Sequence, residues 1–248
     1  MPLKRNDPHY WYPLAPVQGW LAVRVIKPDD LVVDVGCGHQ PFPRADVGID
    51  RLHRQALEKI WDEIGVKVRP PTFLRHDFVR DRLPYQDKEV DFVFCRHTLE
   101  DLYDPFALMA ELQRVGKAGY IETPSPIAEL GRGVDGYGNS EVYRGYYHHR
   151  WVVWEHDGVL NFVSKFPMIE HIGYREDILD EALRKCPEIW NTYYVWKDQI
   201  KWKYWENERD YEFADGYSSL LWKAAQQSSQ STDQFVRVVN EQMKEAAA

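Results

Sequence analysis

An α/β fold, a mostly parallel sheet closed at one end by an antiparallel strand, follows from three features of the 248-residue sequence. Short apolar runs at residues 31–35 and 47–49 are bounded by glycines and carboxylates, as strands buried on both faces are. Stretches with apolar residues at helical spacing, residues 55–65 and 105–115, lie between such runs. Further on, residues 151–163 read as a β-hairpin and, past an amphipathic helix at 174–185 stopped by Pro187, residues 190–205 alternate as a strand pair or one long bent strand that completes the antiparallel end of the sheet.

The chain is organised around residues 31–51. The first apolar run carries one carboxylate, Asp34, and is followed by Gly36 and Gly38; the second ends on Asp50. Ligands of parallel sheets bind beyond the carboxyl ends of the strands, where these residues fall. Glycine lets the backbone turn sharply and approach a ligand closely, and a carboxylate ending the second strand is placed to accept both hydroxyls of a ribose. A ligand-free turn and a nicotinamide-type turn would both use the Gly-Cys-Gly sequence. The dinucleotide fingerprint fails at its third small residue, where Pro41 stands. Pro41 and Pro43 leave too little chain before Val47 for a crossover helix, so an irregular loop or single turn is expected. Few helix N-terminal amides then face the ligand, which suits a cofactor without phosphates.

Length fits one domain with appended elements. A net charge of −8 argues against a nucleic-acid or anionic-membrane binder. Three scattered cysteines, Cys37, Cys95 and Cys186, form neither a disulfide framework nor a zinc pattern and fit a reducing cytoplasm. No run is apolar enough to span a bilayer. Ten Trp and fifteen Tyr, many between residues 137 and 222, serve either packing or a pocket for a ring-shaped acceptor.

In chain order, Trp20, Leu21, Val23, Val25 and Ile26 suggest a helix ending before Pro28. The upstream cluster His9-Tyr10-Trp11-Tyr12 is either a lid or sheet-edge packing. Residues 55–65 form a helix with Gly65 as its C-cap. Residues 72–78 read as a third strand ending in His76, Asp77 and Phe78; there a carboxylate could meet an adenine amino group and a ring stack on the base. Residues 90–95 are a central strand. Asp104 caps the next helix, with Pro105 at its first position, and residues 120–123 form strand five.

The order of these signals resembles the type 11 branch of class I S-adenosylmethionine-dependent methyltransferases. The likeness rests on Asp34 before Gly36 and Gly38, Leu83-Pro84-Tyr85, Asp91-Phe92, His97 followed by Glu100, Asp104-Pro105, Glu111-Leu112 with Arg114-Val115, and the Gly116–Gly119 turn. It covers about half of the chain. Gln40 replaces a glycine of the pattern, and Asp101 a histidine frequent after Leu-Glu. A weaker resemblance, through residues 43–46 and 119–125, is to methyltransferases of surface-polysaccharide or other glycan synthesis. The resemblance implies a Rossmann-like methyltransferase sheet over residues 1–225, with a core at 28–126 and acceptor-side additions at 127–225. Residues 226–248 read as a polar linker and a last helix, which either docks on another subunit, giving a homo-oligomer, or frays.

The expected cofactor is S-adenosylmethionine, leaving as S-adenosylhomocysteine, against Asp34, Gly36, Cys37, Gly38, Gln40, Asp50, Arg51, Asp77, Phe78, Cys95 and Arg96. Aligning an acceptor with the methyl group supplies about 7–11 kcal/mol in well-oriented systems, and a positioned base contributes about 10²–10⁴-fold. Candidate catalytic groups are His97, Asp101, His148 and His149. If the last two lie on a strand, they face opposite ways and at most one enters the pocket. No ligand spacing demands a metal, and none is assigned, although Glu100, Asp101, His148 and Glu122 could together hold a divalent ion. The expected partner is a small hydroxylated molecule, a sugar or an aromatic. Transfer to nitrogen or carbon, and a silent S-adenosylmethionine-fold subunit, are the alternatives.

Overall fold

The computed structural model describes residues 15–135, 142–173, 176–206 and 215–247. The 9–12 cluster lies outside them, as do residues 136–141 and 174–175.

Helix α1 (Ala15–Trp20) continues into a π-helical turn, Leu21–Val25. Strands β1 (Val32–Val35) and β2 (Val47–Asp50) follow, then α2 (Arg54–Ile64), β3 (Thr72–Arg75), β4 (Val90–Arg96) and α3 (Pro105–Val115). Next come β5 (Gly116–Pro124), the short α4 (Pro126–Leu130), the hairpin β6 (Trp151–His156) and β7 (Val159–Ser164), and α5 (Glu176–Lys185). The remainder is β8 (Asn191–Lys197), β9 (Trp202–Trp205) and α6 (Asp215–Ala247).

The main sheet has the order β3-β2-β1-β4-β5-β8. Its pairs are parallel except β5–β8, which is antiparallel in the register Ile121↔Tyr194. The expected mixed α/β sheet with an antiparallel end is therefore present. No helix separates β1 from β2, as the two prolines require. Gly65 ends α2 at φ 76°. Asp104 caps α3 by accepting the Ala107 N–H at 3.0 Å.

Each face of the sheet is covered. On one, Val33, Val35, Val93, Cys95 and Ile121 pack with Leu108 and Leu112 of α3 and Phe162 of the hairpin. On the other, Val32, Phe92, Phe94 and Tyr120 meet Trp20 and Leu21 and, from α6, Val239. A further apolar cluster joins α4, α5, the hairpin and the start of α6.

Three expectations are corrected. Residues 190–205 do hold two strands, but these neither pair with each other nor form one bent strand: β8 joins the main sheet as its antiparallel end, while β9 pairs in parallel with β7 in a separate three-stranded sheet, β6-β7-β9. The third strand stops at Arg75, because Asp77 starts a turn by accepting the Arg80 and Asp81 N–H groups. Residues 226–233 are no linker but lie inside the 33-residue helix α6. Ser228 and Thr232 are buried there, with Ser228 Oγ 3.4 Å from Thr192 Oγ1 and Thr232 Oγ1 donating to the Asn191 carbonyl. Small polar side chains let the helix approach β8 closely while their hydroxyls stay partnered.

Candidate active site at the strand tips

The loop after β1 is built around two carboxylates. Asp34, fully buried, accepts the Phe42 N–H at 2.8 Å and so folds the proline-containing loop back over the strand. Burial pushes its carboxyl up to about 7. Phe42 then stacks on Phe94, with centroids 4.3 Å apart. Arg96, at the end of β4, donates to both the carbonyl (3.1 Å) and Oε1 (3.3 Å) of Gln40. Gln40 thus replaces the glycine of the family pattern with a side chain that helps to hold the loop.

Gly36 sits at φ 76°, and a Cβ there would lie 2.2 Å from Thr98 Oγ1. Only glycine fits. Gly38 is different: a Cβ would meet nothing closer than the Gly36 carbonyl at 3.7 Å, so its surface is open. Asp50 accepts the Gly38 N–H at 2.9 Å on one oxygen and the Leu52 N–H at 2.8 Å on the other. A carboxylate has about four lone-pair sites, so each oxygen keeps one for a hydroxyl. Open space at Gly38 beside a carboxylate with spare acceptors fits a nucleoside with a free ribose diol.

Other expected cofactor residues are placed differently. Arg51 pairs with Asp77 at 3.2 Å, and Arg80 also faces Asp77, so this carboxylate is already engaged by cations. Phe78 is buried in the main core and offers no face to a base. Cys37 and Cys95 are buried, and burial raises both thiols well above their ordinary range. Cys95 is a core residue, and Cys37 packs with Leu57 and Trp61.

Beyond β4 and β5 a second set of charges converges. His97 takes a left-handed backbone conformation, φ 48°, and its N–H donates to the Glu122 carbonyl at 2.8 Å. Its Nδ1 lies 3.4 Å from Glu100 and its Nε2 3.3 Å from Glu122. Burial alone would lower its pKa, but the two carboxylates outweigh burial and raise it. With both nitrogens facing carboxylates, the ring balances charge and is not poised to take a proton. Glu122 is buried and accepts the Tyr120 hydroxyl at 2.5 Å.

His148 and His149 lie in a turn and the extended chain after it, not on a strand, so the alternation of faces does not apply. Both rings reach Asp101: His148 Nε2 is 3.6 Å and His149 Nε2 3.9 Å from its Oδ1. His149 Nδ1 is 2.6 Å from Oε1 of Glu129, whose other oxygen accepts Lys165 Nζ at 2.6 Å. Burial would raise Glu129, but Lys165 and His149 outweigh it and hold the carboxyl at about 2. An ionised Glu129 can only accept, so His149 carries a proton on Nδ1 and faces Asp101 through Nε2; burial would lower its pKa, but Glu129 outweighs burial and raises it. Burial and Glu100 raise Asp101 to about 7, against the pull of His149 and His97. Gly145, at φ 57°, covers Glu129 where a Cβ would lie 2.3 Å from Oε2.

Glu129 and Lys165 are absent from the sequence-derived candidates. The only sequence signal for Glu129 is a lone acid inside the apolar segment 126–130.

Residues 33–121 match the methyltransferase domain family of type 11. The match spans 89 of the 248 residues, the segment from β1 into β5. No curated protein matches the chain. Among solved structures it is similar to the YcgJ protein of Bacillus subtilis, with 19% identity over 44% of this chain and 50% of that one, at a TM-score of 0.35. A SAM-dependent methyltransferase from Aquifex aeolicus shares 20% identity over 49% of this chain and 70% of that one, at 0.35. The magnesium protoporphyrin IX methyltransferase of Synechocystis PCC 6803, with bound SAH, shares 24% over 44% and 53%, at 0.33. The chain spans about half the length of the Bacillus and Synechocystis proteins. Among the described residues, no helix is long and apolar enough to cross a membrane.

Proposed function

We propose that the chain is an S-adenosylmethionine-dependent O-methyltransferase acting on a small, neutral, hydroxylated acceptor, a sugar or glycan intermediate. The observation that carries this reading is the convergence of Asp101, His148 and His149 beyond β4, with His149 oriented by buried Glu129. S-adenosylmethionine supplies an electrophilic methyl group. Asp50 and Gly38 hold the nucleoside end. The acceptor hydroxyl must lose its proton, and Nε2 of His149 is the lone pair available to take it. Glu100, Asp101, Glu122 and Glu129 make this side acidic, which repels phosphorylated or carboxylated acceptors and suits hydrogen bonds from hydroxyls.

Exposed Tyr103, with the Arg150 guanidinium 3.6 Å from its ring centroid, and exposed Tyr147, beside His148, give flat surfaces for a sugar ring. Three unpaired cysteines support a reducing, cytoplasmic setting. The test is calorimetry with S-adenosylhomocysteine, followed by transfer of labelled methyl to neutral sugars, sugar nucleotides, phenols and amines, with the methylated atom identified by NMR. Transfer to a sugar oxygen that fails in His149→Ala is expected. Methylation of nitrogen alone overturns the acceptor reading, and absence of S-adenosylhomocysteine binding overturns the enzyme.

A further inference from the structure

We infer that Asp101, His148 and His149 form a binding site for one divalent transition-metal ion of the zinc type. Their ligand atoms, one from each residue, all lie within 4.8 Å of one another, and the two Nε2–Oδ1 separations are 3.6 and 3.9 Å. Those separations are too long for good hydrogen bonds. They are close to the edge of a tetrahedron around a zinc ion with bonds near 2.0–2.1 Å, about 3.3 Å. The three side chains therefore converge on a common point without satisfying one another.

Two further observations point to a cation. His149 donates its other ring N–H to Glu129 at 2.6 Å, the carboxylate–histidine arrangement that fixes the tautomer of metal-binding imidazoles. Next to Asp101, the carboxylate of Glu100 is almost wholly buried, and the His97 ring 3.4 Å from it is shared with a second buried carboxylate, Glu122, so one imidazole faces two negative charges. The Glu100 charge acts on Asp101, His148 and His149 alike, adding negative potential where an ion would sit. Two imidazoles select a transition metal over magnesium or calcium, which prefer oxygen ligands.

Three protein ligands leave open positions on the ion. Vicinal hydroxyls are chelating ligands for such positions; this consequence, unlike the binding itself, rests on the O-methyltransferase reading. With the ion seated, Nε2 of His149 is a ligand and no longer a proton acceptor.

The experiment titrates chelator-treated full-length protein with Zn²⁺ by calorimetry and with Co²⁺ by visible absorption. A Cys186→Ser background removes the exposed thiol. One ion per chain is expected, with cobalt bands typical of nitrogen and oxygen ligands. His148→Ala and Asp101→Asn, both at half-exposed side chains, should each weaken Zn²⁺ binding at least tenfold while leaving S-adenosylhomocysteine affinity and the circular dichroism spectrum unchanged. No stoichiometric binding, or binding indifferent to both substitutions, overturns the site. Because S-adenosylhomocysteine binding is read separately, that result leaves the methyltransferase reading standing.

Discussion

Replacing Glu129 by Gln keeps the shape of the side chain and removes its charge. The carboxylate is 1% exposed and sits 2.6 Å from both Lys165 Nζ and His149 Nδ1. A carboxyl held at about 2 instead of 4.5 corresponds to about 3 kcal/mol of stabilisation. Because the folded pKa is depressed, that stabilisation is present above pH 4.5 and is lost as the pH falls from about 4.5 towards about 2. At pH 7, Glu129→Gln also strands the Lys165 ammonium with the Arg144 and Tyr146 carbonyls as partners. Breaking a buried pair in this way costs about 3–5 kcal/mol.

The double variant Glu129→Gln with Lys165→Met removes both charges and should recover most of the loss. Urea unfolding at neutral pH, repeated at several pH values down to about 3, measures both effects. Glu111, held at about 2 by Arg114, contributes an acid slope of its own, so the informative quantity is the difference between parent and variant. A single variant within about 1 kcal/mol of the parent at neutral pH would refute the reasoning. So would parallel loss of stability by both proteins below pH 4.5.

Gly36→Ala forces a side chain into a left-handed backbone position against Thr98, and should cost about 1–3 kcal/mol in unfolding and weaken S-adenosylhomocysteine binding in calorimetry. Asp104→Ala removes the N-cap of α3 and should cost about 0.5–2 kcal/mol, read from the urea midpoint with an unchanged m-value. Amide exchange across residues 226–233 should be as slow as in the flanking turns of α6; fast exchange confined to that tract would restore the linker. In metal-free enzyme, the methyl-transfer rate should climb as the pH rises above 6.5, because Glu129 raises His149 above that value despite burial. A rate flat from about pH 6 to 9 would remove His149 as the base.

The first half of the fold was legible because its signals are local. Buried runs mark β1, β2 and β4, Gly65 and Asp104 punctuate α2 and α3, and Pro41 with Pro43 exclude a crossover helix. The later half depends on contacts distant in sequence. A Gln- and Ser-rich tract reads as a linker until Ser228 and Thr232 are seen against β8. Alternation identified strands in residues 190–205 but could not say that consecutive ones enter different sheets. Gly36, Gly38 and Asp50 gather at the tips of β1 and β2, beside open space. Phe78 and Cys95 turn into the core instead, since a residue at a strand tip can turn inward as easily as outward. The Glu129–Lys165 pair spans 36 positions and leaves no pattern. Asp101, a departure from the family's histidine, acquires its meaning only when residues 148 and 149 are brought opposite it.

The short span between Lys197 and Trp202 stitches the two sheets into one frame. Its turn is pinned where the Asp198 N–H meets the Lys117 carbonyl at 2.9 Å and Lys88 reaches the Asp198 carbonyl at 3.1 Å. One ladder cannot swing away from the other without tearing β8 from β5 or β9 from β7. A relative shift of the two sheets would therefore have to break one of those ladders or the turn between them.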